Sequence, residues 1–235
     1  MRRRSTLLLT LALLMPAAQA AGTDHLDTLE QRVRPCVICH GAEGRASNAG
    51  YLPRIAGKPS GYLHRQLLHF RDGRRAHAQM RYLLERQTDA YLAEMADYFG
   101  ALDLPYPAPL PPQADAAALA RGATLVHEGA PTQGIPACAA CHGERLTGVA
   151  PDIPGLLGLP FDYLASQFGH WRSGQRQSDA PDCMATIATR MALADIEAAA
   201  AWLAAQPVPE DAHPADSLPA PLPLECGQVR LEPRS

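Results

Sequence analysis

The sequence predicts an all-α protein built from two tandem domains. Residues 52–75 and 153–176 align at a constant offset of 101 positions. Both copies space their apolar residues as helices do, without the alternating β-branched runs of strands, and a proline-rich stretch separates them. These features indicate a duplicated helical domain. The identical pairs of the repeat include Pro53 with Pro154, Gly57 with Gly158, Tyr62 with Tyr163, Gln66 with Gln167, and Arg75 with Arg176.

The first domain, predicted over residues 21–103, contains two clear helix signals. The stretch from Tyr62 to Arg71 has helical spacing and ends just before a glycine. Thr88 can cap a later helix with its hydroxyl, and Asp89 in the first turn complements the helix dipole. That second helix is predicted to end at Gly100.

The second domain, predicted over residues 116–206, repeats this plan. Asp115 can cap a helix that leads into a cysteine-containing segment. Residues 162–174 and 192–207 then correspond to the two helices of the first domain. The same helical architecture is therefore expected twice.

Proline-rich segments join and follow the two domains. Residues 104–115 contain five prolines, which favours an extended, semi-rigid linker of polyproline type. Residues 207–235 are also rich in proline and are predicted to be a tail without regular structure.

The first 20 residues have the pattern of a secretory signal peptide. Three arginines precede a short apolar run, and a small-x-small site ends at Ala20. The apolar run falls short of the roughly 20 residues that span a bilayer. We therefore expect a periplasmic protein cleaved after Ala20, without a transmembrane segment in the mature chain. Peripheral association with a membrane stays compatible with this expectation.

The charge balance argues against nucleic acid as a partner. Without the three N-terminal arginines, the chain has 18 basic and 24 acidic residues, and a net negative protein repels phosphates. The charges are unevenly distributed, because residues 21–103 hold 11 basic and 10 acidic residues whereas residues 104–206 hold 5 and 9. Such a distribution can orient a charged partner protein.

Four of the six cysteines lie in two Cys-x-x-Cys-His motifs, at residues 36–40 and 138–142. In this motif of c-type haem attachment, the thiols form thioethers to the porphyrin and the histidine binds the iron. A four-cysteine zinc site, two redox-active pairs or structural disulfides are alternatives, but none requires a histidine after both pairs. We expect each motif at the start of a helix. Two covalently bound haem c groups are predicted, attached through Cys36, Cys39, Cys138 and Cys141.

A methionine follows each motif histidine at nearly the same distance. Met80 lies 40 residues after His40, and Met184 lies 42 residues after His142. A methionine opposite histidine is a common axial pair in cytochromes and raises the reduction potential. The repeat therefore favours these two methionines as the second iron ligands.

Neighbouring side chains leave alternatives open at both irons. His77 precedes Met80 by three residues and would give a bis-histidine site. Cys183 immediately precedes Met184 and would bind iron as a thiolate. Two other methionines are expected to pack in the core, Met95 and Met191.

The two motifs, the paired Pro-x-[Ile/Leu]-x-Gly segments, the Tyr-Leu-x-x-Gln helices and the two late methionines together resemble the dihaem cytochromes of the cytochrome c4 family. The resemblance covers residues 29–206. It implies two class I cytochrome c domains, with the two haems close across the domain interface. It also implies a periplasmic electron carrier without catalytic residues of its own. Its donor would be a quinol-oxidising complex or a dehydrogenase, and its acceptor a terminal oxidase.

The resemblance also implies roles for individual residues. The iron ligands would be His40, Met80, His142 and Met184. The backbone carbonyls of Pro53 and Pro154 would accept a hydrogen bond from the ligand histidines and so fix the orientation of the rings. Six recurring polar residues would line the haem edge or the domain interface, unless they simply form a half-buried helix face: Tyr62, Gln66, Arg71, Tyr163, Gln167 and Arg172.

Two cysteines fall outside the family pattern, Cys183 and Cys226. In an oxidising compartment we expect them to form a disulfide that ties the tail beside the second haem, with a stabilisation of about 2–4 kcal/mol. A free Cys183 that binds iron is the alternative, and it would move the protein toward dihaem enzymes that oxidise a small sulfur compound such as thiosulfate. A cytochrome subunit of a dehydrogenase is the remaining alternative.

Overall fold

Helices dominate the computed structural model, which describes residues 27–46, 50–112 and 114–229. The predicted signal peptide, residues 1–20, lies outside the described residues. The helices of the first copy are α1 (Leu29–His40), α2 (Ser60–Arg71), α3 (Ala78–Leu84) and α4 (Asp89–Gly100). Those of the second copy are α5 (Ala116–His127), α6 (Ala139–His142), α7 (Phe161–Arg172), α8 (Cys183–Arg190) and α9 (Leu193–Ala205).

The helix starts follow the capping signals of the sequence. The side chain of Thr88 accepts a hydrogen bond from the backbone N–H of Tyr91 at the start of α4. Asp115 does the same for the N–H of Ala118 at the start of α5. These caps satisfy backbone donors that have no partner within the helix. The all-α fold with a duplicated helical plan is thus confirmed.

The position of the first cysteine motif differs from the expectation. Cys36 to His40 form the last turn of α1 and not the start of a helix, and the chain leaves this helix through Gly41 at a φ of 75°. The second motif does begin its helix, because Cys138 occupies the position just before the single turn of α6. Both motifs still hold their cysteines and histidine within one helical turn.

Three short elements were not predicted from the sequence. Helices α3 and α8 are seven and eight residues long, too short to leave a clear apolar period. A two-stranded antiparallel hairpin joins β1 (Gly148–Val149) to β2 (Ile153–Pro154). Gly148 is required at its start, because its φ is +100° and an added Cβ would lie 2.6 Å from the nitrogen of Gly155.

Each copy has its own apolar core. In the first copy α2 packs on α4, and the buried residues there include Leu63 and Phe99. In the second copy α9 packs on both α5 and α7. Helices α5 and α9 approach so closely that a Cβ on Gly122 would lie 2.2 Å from the carbonyl oxygen of Ala198, so glycine is needed at this crossing.

The two copies meet through the turns that follow α2 and α7. Arg75 and Arg176, which occupy equivalent positions of the repeat, form an antiparallel β-bridge with each other. Beside it, the N–H of Ala76 donates to the carbonyl of Gln175 at 2.7 Å, and the N–H of Gln177 donates to the carbonyl of Arg74 at 2.8 Å. The interface is therefore close to symmetric, with corresponding residues facing each other.

The proline-rich segments pack against the domains. Residues 104–112 form no helix or strand, and Arg54 holds their start by donating to the carbonyls of Leu104 and Pro105 at 2.6 and 3.1 Å. The guanidinium of Arg54 also lies 3.8 Å from the ring centroid of Tyr106. Within the described ranges, no helix is long and apolar enough to cross a membrane.

Candidate haem-binding sites

The first motif presents its three chemically active side chains from the end of α1. Cys36 and His40 are four residues apart and share one face of the helix. The ring nitrogen Nδ1 of His40 lies 2.8 Å from the carbonyl oxygen of Pro53. Since that carbonyl can only accept, Nδ1 carries the proton and Nε2 is left to bind a metal.

The second motif repeats this geometry on a different local scaffold. Nδ1 of His142 lies 2.7 Å from the carbonyl oxygen of Pro154, which hairpin strand β2 holds in place. The same histidine–carbonyl pairing therefore occurs in both domains, at positions that the repeat relates. The structure brings both motif histidines together with the prolines that the sequence singled out.

Burial sets the protonation of these groups. It lowers the pKa of His40 and of His142, with the hydrogen bonds to the proline carbonyls acting in the opposite direction. Burial also raises the pKa of Cys36 to about 11 and that of Cys138 to about 12. The imidazoles are therefore neutral, which is the form that binds iron.

A connected cavity of about 710 Å³ joins the two motifs. Its walls are mostly apolar and include side chains from both domains. The cavity is lined by all eight residues predicted to attach the haems or ligate their irons: Cys36, Cys39, His40, Met80, Cys138, Cys141, His142 and Met184.

These side chains suit a covalently attached haem in each domain. Each motif offers two cysteines that form no disulfide and one neutral imidazole with a free Nε2. A thioether from a methionine reaches the same cavity in each copy. This donor set and the apolar walls match the needs of a six-coordinate haem c.

The alternative ligands of the sequence analysis have other partners in the structure. His77 caps α3, where its Nδ1 accepts a hydrogen bond from the N–H of Met80 at 3.4 Å. Cys183 is joined to Cys226 in a disulfide, which leaves no thiolate at Cys183. Met95 and Met191 are buried, each with 3% of its surface exposed.

Arg75 and Arg176 form a buried cationic pair between the two motifs. Arg75 donates to Gln66 and Gln167 at 2.8 Å each and to the hydroxyl of Tyr163 at 3.0 Å. Arg176 donates to Gln167 at 2.8 Å, to Gln66 at 3.0 Å and to the hydroxyl of Tyr62 at 3.3 Å.

Only 7% of Arg75 and 6% of Arg176 are exposed, and both line the cavity. The side chains that bind them are neutral, and among the described residues neither arginine forms an ion pair with a carboxylate. Arginine keeps its charge even when buried. The cavity therefore contains two positive charges that the surrounding side chains do not neutralise.

The recurring polar residues divide into two groups. Tyr62, Gln66, Tyr163 and Gln167 lie at the domain interface and line the cavity. The other two hold helix ends: Arg71 pairs with Asp89 at the start of α4, and Arg172 donates to the carbonyl of Met191. No role was expected for Arg75 and Arg176, although their exact repetition was visible in the sequence.

Comparisons with known proteins agree with this geometry. A thiosulfate dehydrogenase electron acceptor of Thiomonas intermedia is 40% identical over 174 residues, covering 74% of this chain and 79% of that protein. Cytochrome c4 of Pseudomonas aeruginosa is 34% identical over 200 residues, covering 84% and 95%. No family model matches the chain.

Solved structures show the same likeness. A thiosulfate dehydrogenase from Marichromatium purpuratum superposes with a TM-score of 0.66 at 34% identity; the match covers 74% of this chain and 36% of that one, so the present chain spans about a third of its length. Reduced cytochrome c4 from Pseudomonas stutzeri superposes with a TM-score of 0.65 at 28% identity, covering 75% and 95%.

Two helical domains, each with a Cys-x-x-Cys-His motif facing an apolar cavity, define a dihaem c-type cytochrome, an electron-transfer protein with two covalently bound haem c groups. Within that class, the chain belongs to the cytochrome c4 family. The expected family, fold and cofactors are thus confirmed.

Proposed function

We propose that the chain is a periplasmic electron carrier that accepts electrons from a thiosulfate-oxidising dehydrogenase and delivers them to a further acceptor such as a terminal oxidase. The observation that carries this proposal is the 40% identity to a protein described as a thiosulfate dehydrogenase electron acceptor. A second protein of that description, from Stutzerimonas stutzeri, is 35% identical over 176 residues. The likeness to part of a thiosulfate dehydrogenase structure supports the same donor.

In this proposal each domain binds its haem with residues that reach the shared cavity. The two cysteines of each motif form the thioethers, and the iron ligands are His40 with Met80 and His142 with Met184. The haem iron supplies one-electron chemistry by alternating between ferric and ferrous states. With a histidine and a methionine at each iron, no position would be left open for a substrate, which suits an electron carrier and not an oxidase.

Arg75 and Arg176 suit the carboxylates of the two haems. Their charges are buried among neutral partners, and a buried charge is costly unless an anion compensates it. The propionate groups of haem are such anions. Positive charge close to a haem also stabilises the ferrous state and so raises the reduction potential.

In a second candidate function the chain is still an electron carrier, but its electron donor is different. The identity to cytochrome c4 of Pseudomonas aeruginosa extends over 95% of that protein. This favours a general respiratory carrier between a quinol-oxidising complex and a terminal oxidase. A dihaem enzyme that uses Cys183 as an iron ligand is disfavoured, because that sulfur is in a disulfide.

Reduction of the purified holoprotein distinguishes these functions. With catalytic amounts of a thiosulfate dehydrogenase and excess thiosulfate, we expect the absorbance of both haems to change to that of the reduced form. Thiosulfate alone should leave the protein oxidised, and reduction without the dehydrogenase would contradict the carrier function. Reduction by a quinol-oxidising complex but not by the dehydrogenase would favour the second candidate.

A further inference from the structure

The repeat allows the two candidate haem pockets to be compared within one chain. Helix α3 follows the first motif and exposes 77% of Tyr82 and 40% of Leu83. An offset of 104 relates α3 to α8, so their counterparts are Thr186 and Ile187. Both of these side chains are half-buried and so less exposed than those of α3. The same side of the pocket is thus open in the first domain and covered in the second.

The C-terminal segment provides this cover. Residues 207–229, here called the strap, run back over the second domain. Leu222, Leu224 and Val229 of the strap line the cavity together with Met184. The disulfide between Cys183 and Cys226 joins the strap to the first residue of α8.

Several polar contacts fix the path of the strap. The N–H of Ala215 donates to the carbonyl of Gly148 at 2.9 Å, and its carbonyl accepts from the N–H of Ala150 at 2.8 Å. Near the other end, the N–H of Gly227 donates to the carbonyl of Pro181 at 3.0 Å. A Cβ on Gly227 would lie 2.1 Å from the carbonyl oxygen of Ala180, so the strap is closely packed there.

The first pocket has an apolar rim in place of a strap. Cys39 and Leu83 both line the cavity and both are exposed. Ile38, next to Cys39, exposes 82% of its surface. We call Ile38, Cys39, Tyr82 and Leu83 the first-domain face. In the described part of the chain these four side chains are exposed, and exposed apolar side chains at the mouth of a pocket mark an interaction site.

The charges around the two pockets have opposite signs. Arg34 lies one helical turn before Ile38, and Arg81 precedes Tyr82; both are exposed, and neither enters an ion pair found among the described residues. The strap contains no lysine or arginine. It carries four acidic residues, of which Asp211 is paired with Arg145 of the second domain: Glu210, Asp211, Asp216 and Glu225. An acidic partner is therefore attracted to the first domain and repelled from the second.

We infer that the first-domain face is the docking site for the protein that donates electrons to this chain. The occupant is an electron-transfer protein whose own docking surface is an apolar patch with an acidic rim. Electrons from this partner would enter through the first-domain pocket, and the second pocket, which the strap lines, would receive them from the first. This inference rests on the proposed function for its protein donor.

A matched pair of variants tests the face. Tyr82→Glu places a negative charge on it, whereas Leu193→Glu makes the same change at an exposed residue of the second domain, 65% exposed and outside the cavity lining. In stopped-flow reduction by thiosulfate-reduced thiosulfate dehydrogenase, Tyr82→Glu should lower the second-order rate constant by about tenfold or more, and Leu193→Glu should leave it unchanged. The reverse pattern would overturn the inference.

A small oxidant separates failure of this inference from failure of the proposed donor. If the dehydrogenase does not reduce even the wild-type protein, the donor is wrong, but oxidation of the chemically reduced holoprotein by hexacyanoferrate(III) still reports on the face. Tyr82→Glu should slow this anionic probe severalfold at low ionic strength. Equal rates for Tyr82→Glu and Leu193→Glu would contradict access through the first domain.

Removal of the disulfide tests the strap. The Cys183→Ser/Cys226→Ser variant loses the covalent link, and circular dichroism with both haem spectra checks that it is folded and loaded. Without the disulfide, hexacyanoferrate(III) can also reach the pocket of the second domain. Tyr82→Glu should therefore slow oxidation by this probe less in this variant than in the protein with the disulfide. If this slowing is undiminished, limited proteolysis shows whether residues 207–235 are still packed on the domain without the disulfide. A variant truncated after Gln206 removes the strap altogether. If this variant also keeps the full slowing, the covering role of the strap is overturned.

Discussion

At the scale of single residues, two backbone carbonyls define the chemistry of the motif histidines. Pro53 and Pro154 accept from Nδ1 of His40 and His142 at 2.8 and 2.7 Å. Each contact fixes the tautomer of the ring and leaves Nε2 available to bind an iron. The resemblance to the cytochrome c4 family predicted both pairs from the sequence.

The methionine ligands lead to a prediction for each haem separately. Met80→His should lower the midpoint potential of the first haem by on the order of 100 mV, because imidazole in place of a thioether favours the ferric state. Met184→His should do the same for the second haem only. Potentiometric titration followed by visible and near-infrared absorption measures both. A variant in which both potentials fall equally would contradict the assignment of one methionine to each domain.

His69 predicts how stability depends on pH. It is 5% exposed, and burial lowers its pKa from 6.5 to about 4, with Arg74 acting in the same direction. Between these values the unfolded chain binds a proton that the folded chain does not, so the free energy of unfolding falls as pH drops from 6.5 to 4. The charged neighbours are Arg65, Arg74, Arg176 and Asp179.

Replacing this histidine should flatten that dependence. We expect His69→Gln to remove about 1–3 kcal/mol of the stability loss between pH 6.5 and 4, measured by denaturant unfolding at several pH values. His170, its half-buried counterpart in the repeat, gives the control, since His170→Gln should have a smaller effect. An unchanged slope in His69→Gln would contradict a buried neutral histidine.

At the scale of elements, the turns after α2 and α7 build the contact between domains. They place Arg75 and Arg176 against each other in a β-bridge, and the glutamines and tyrosines of α2 and α7 receive both side chains. The repeated Gly-x-Arg was visible in the sequence. That the two arginines meet was not, because a contact across an approximate two-fold axis leaves no local signal.

The arginine pair predicts linked effects on stability and potential. Arg75→Gln removes a buried charge and three hydrogen bonds. Arg176 still donates to Gln66 and Gln167, so only the hydroxyl of Tyr163 loses its guanidinium donor. Together these losses should cost about 2–4 kcal/mol of unfolding free energy. Loss of the positive charge should also lower the midpoint potentials of the haems by tens of millivolts. Calorimetry and redox titration measure these changes.

The conservative variant separates charge from geometry. Arg75→Lys retains the charge but not the planar guanidinium that reaches three acceptors. It should therefore leave the midpoint potentials of the haems nearly unchanged and lower the free energy of unfolding in part. If Arg75→Lys and Arg75→Gln lowered the potentials equally, the charge would not be the cause.

Element length explains which parts of the fold the sequence predicted. Helices α4 and α5 have twelve residues each and begin at clear caps, so their periodicity and starts were predictable. Helix α3 and the hairpin of β1 and β2 are too short to show a period. Their positions depend on packing against the rest of the domain, which no local pattern encodes.

At the scale of the whole molecule, the duplication is incomplete, and the difference lies at the C-terminus. The sequence predicted a disulfide from Cys183 to Cys226 but described the tail only as irregular. In the structure residues 207–229 cover one pocket and leave the other bare. Tail packing of this kind depends on backbone contacts such as those of Ala215, for which proline-rich sequence gives no periodic signal.

The central claim is that two six-coordinate haems, each ligated by histidine and methionine, form one electron-transfer unit. Low-temperature electron spin resonance combined with near-infrared magnetic circular dichroism on the oxidised holoprotein tests it most directly. The structure predicts two low-spin ferric haems per chain, each with a sulfur-to-iron charge-transfer band. A single haem per chain, a high-spin iron with an open position, or the absence of the sulfur-to-iron band would contradict it.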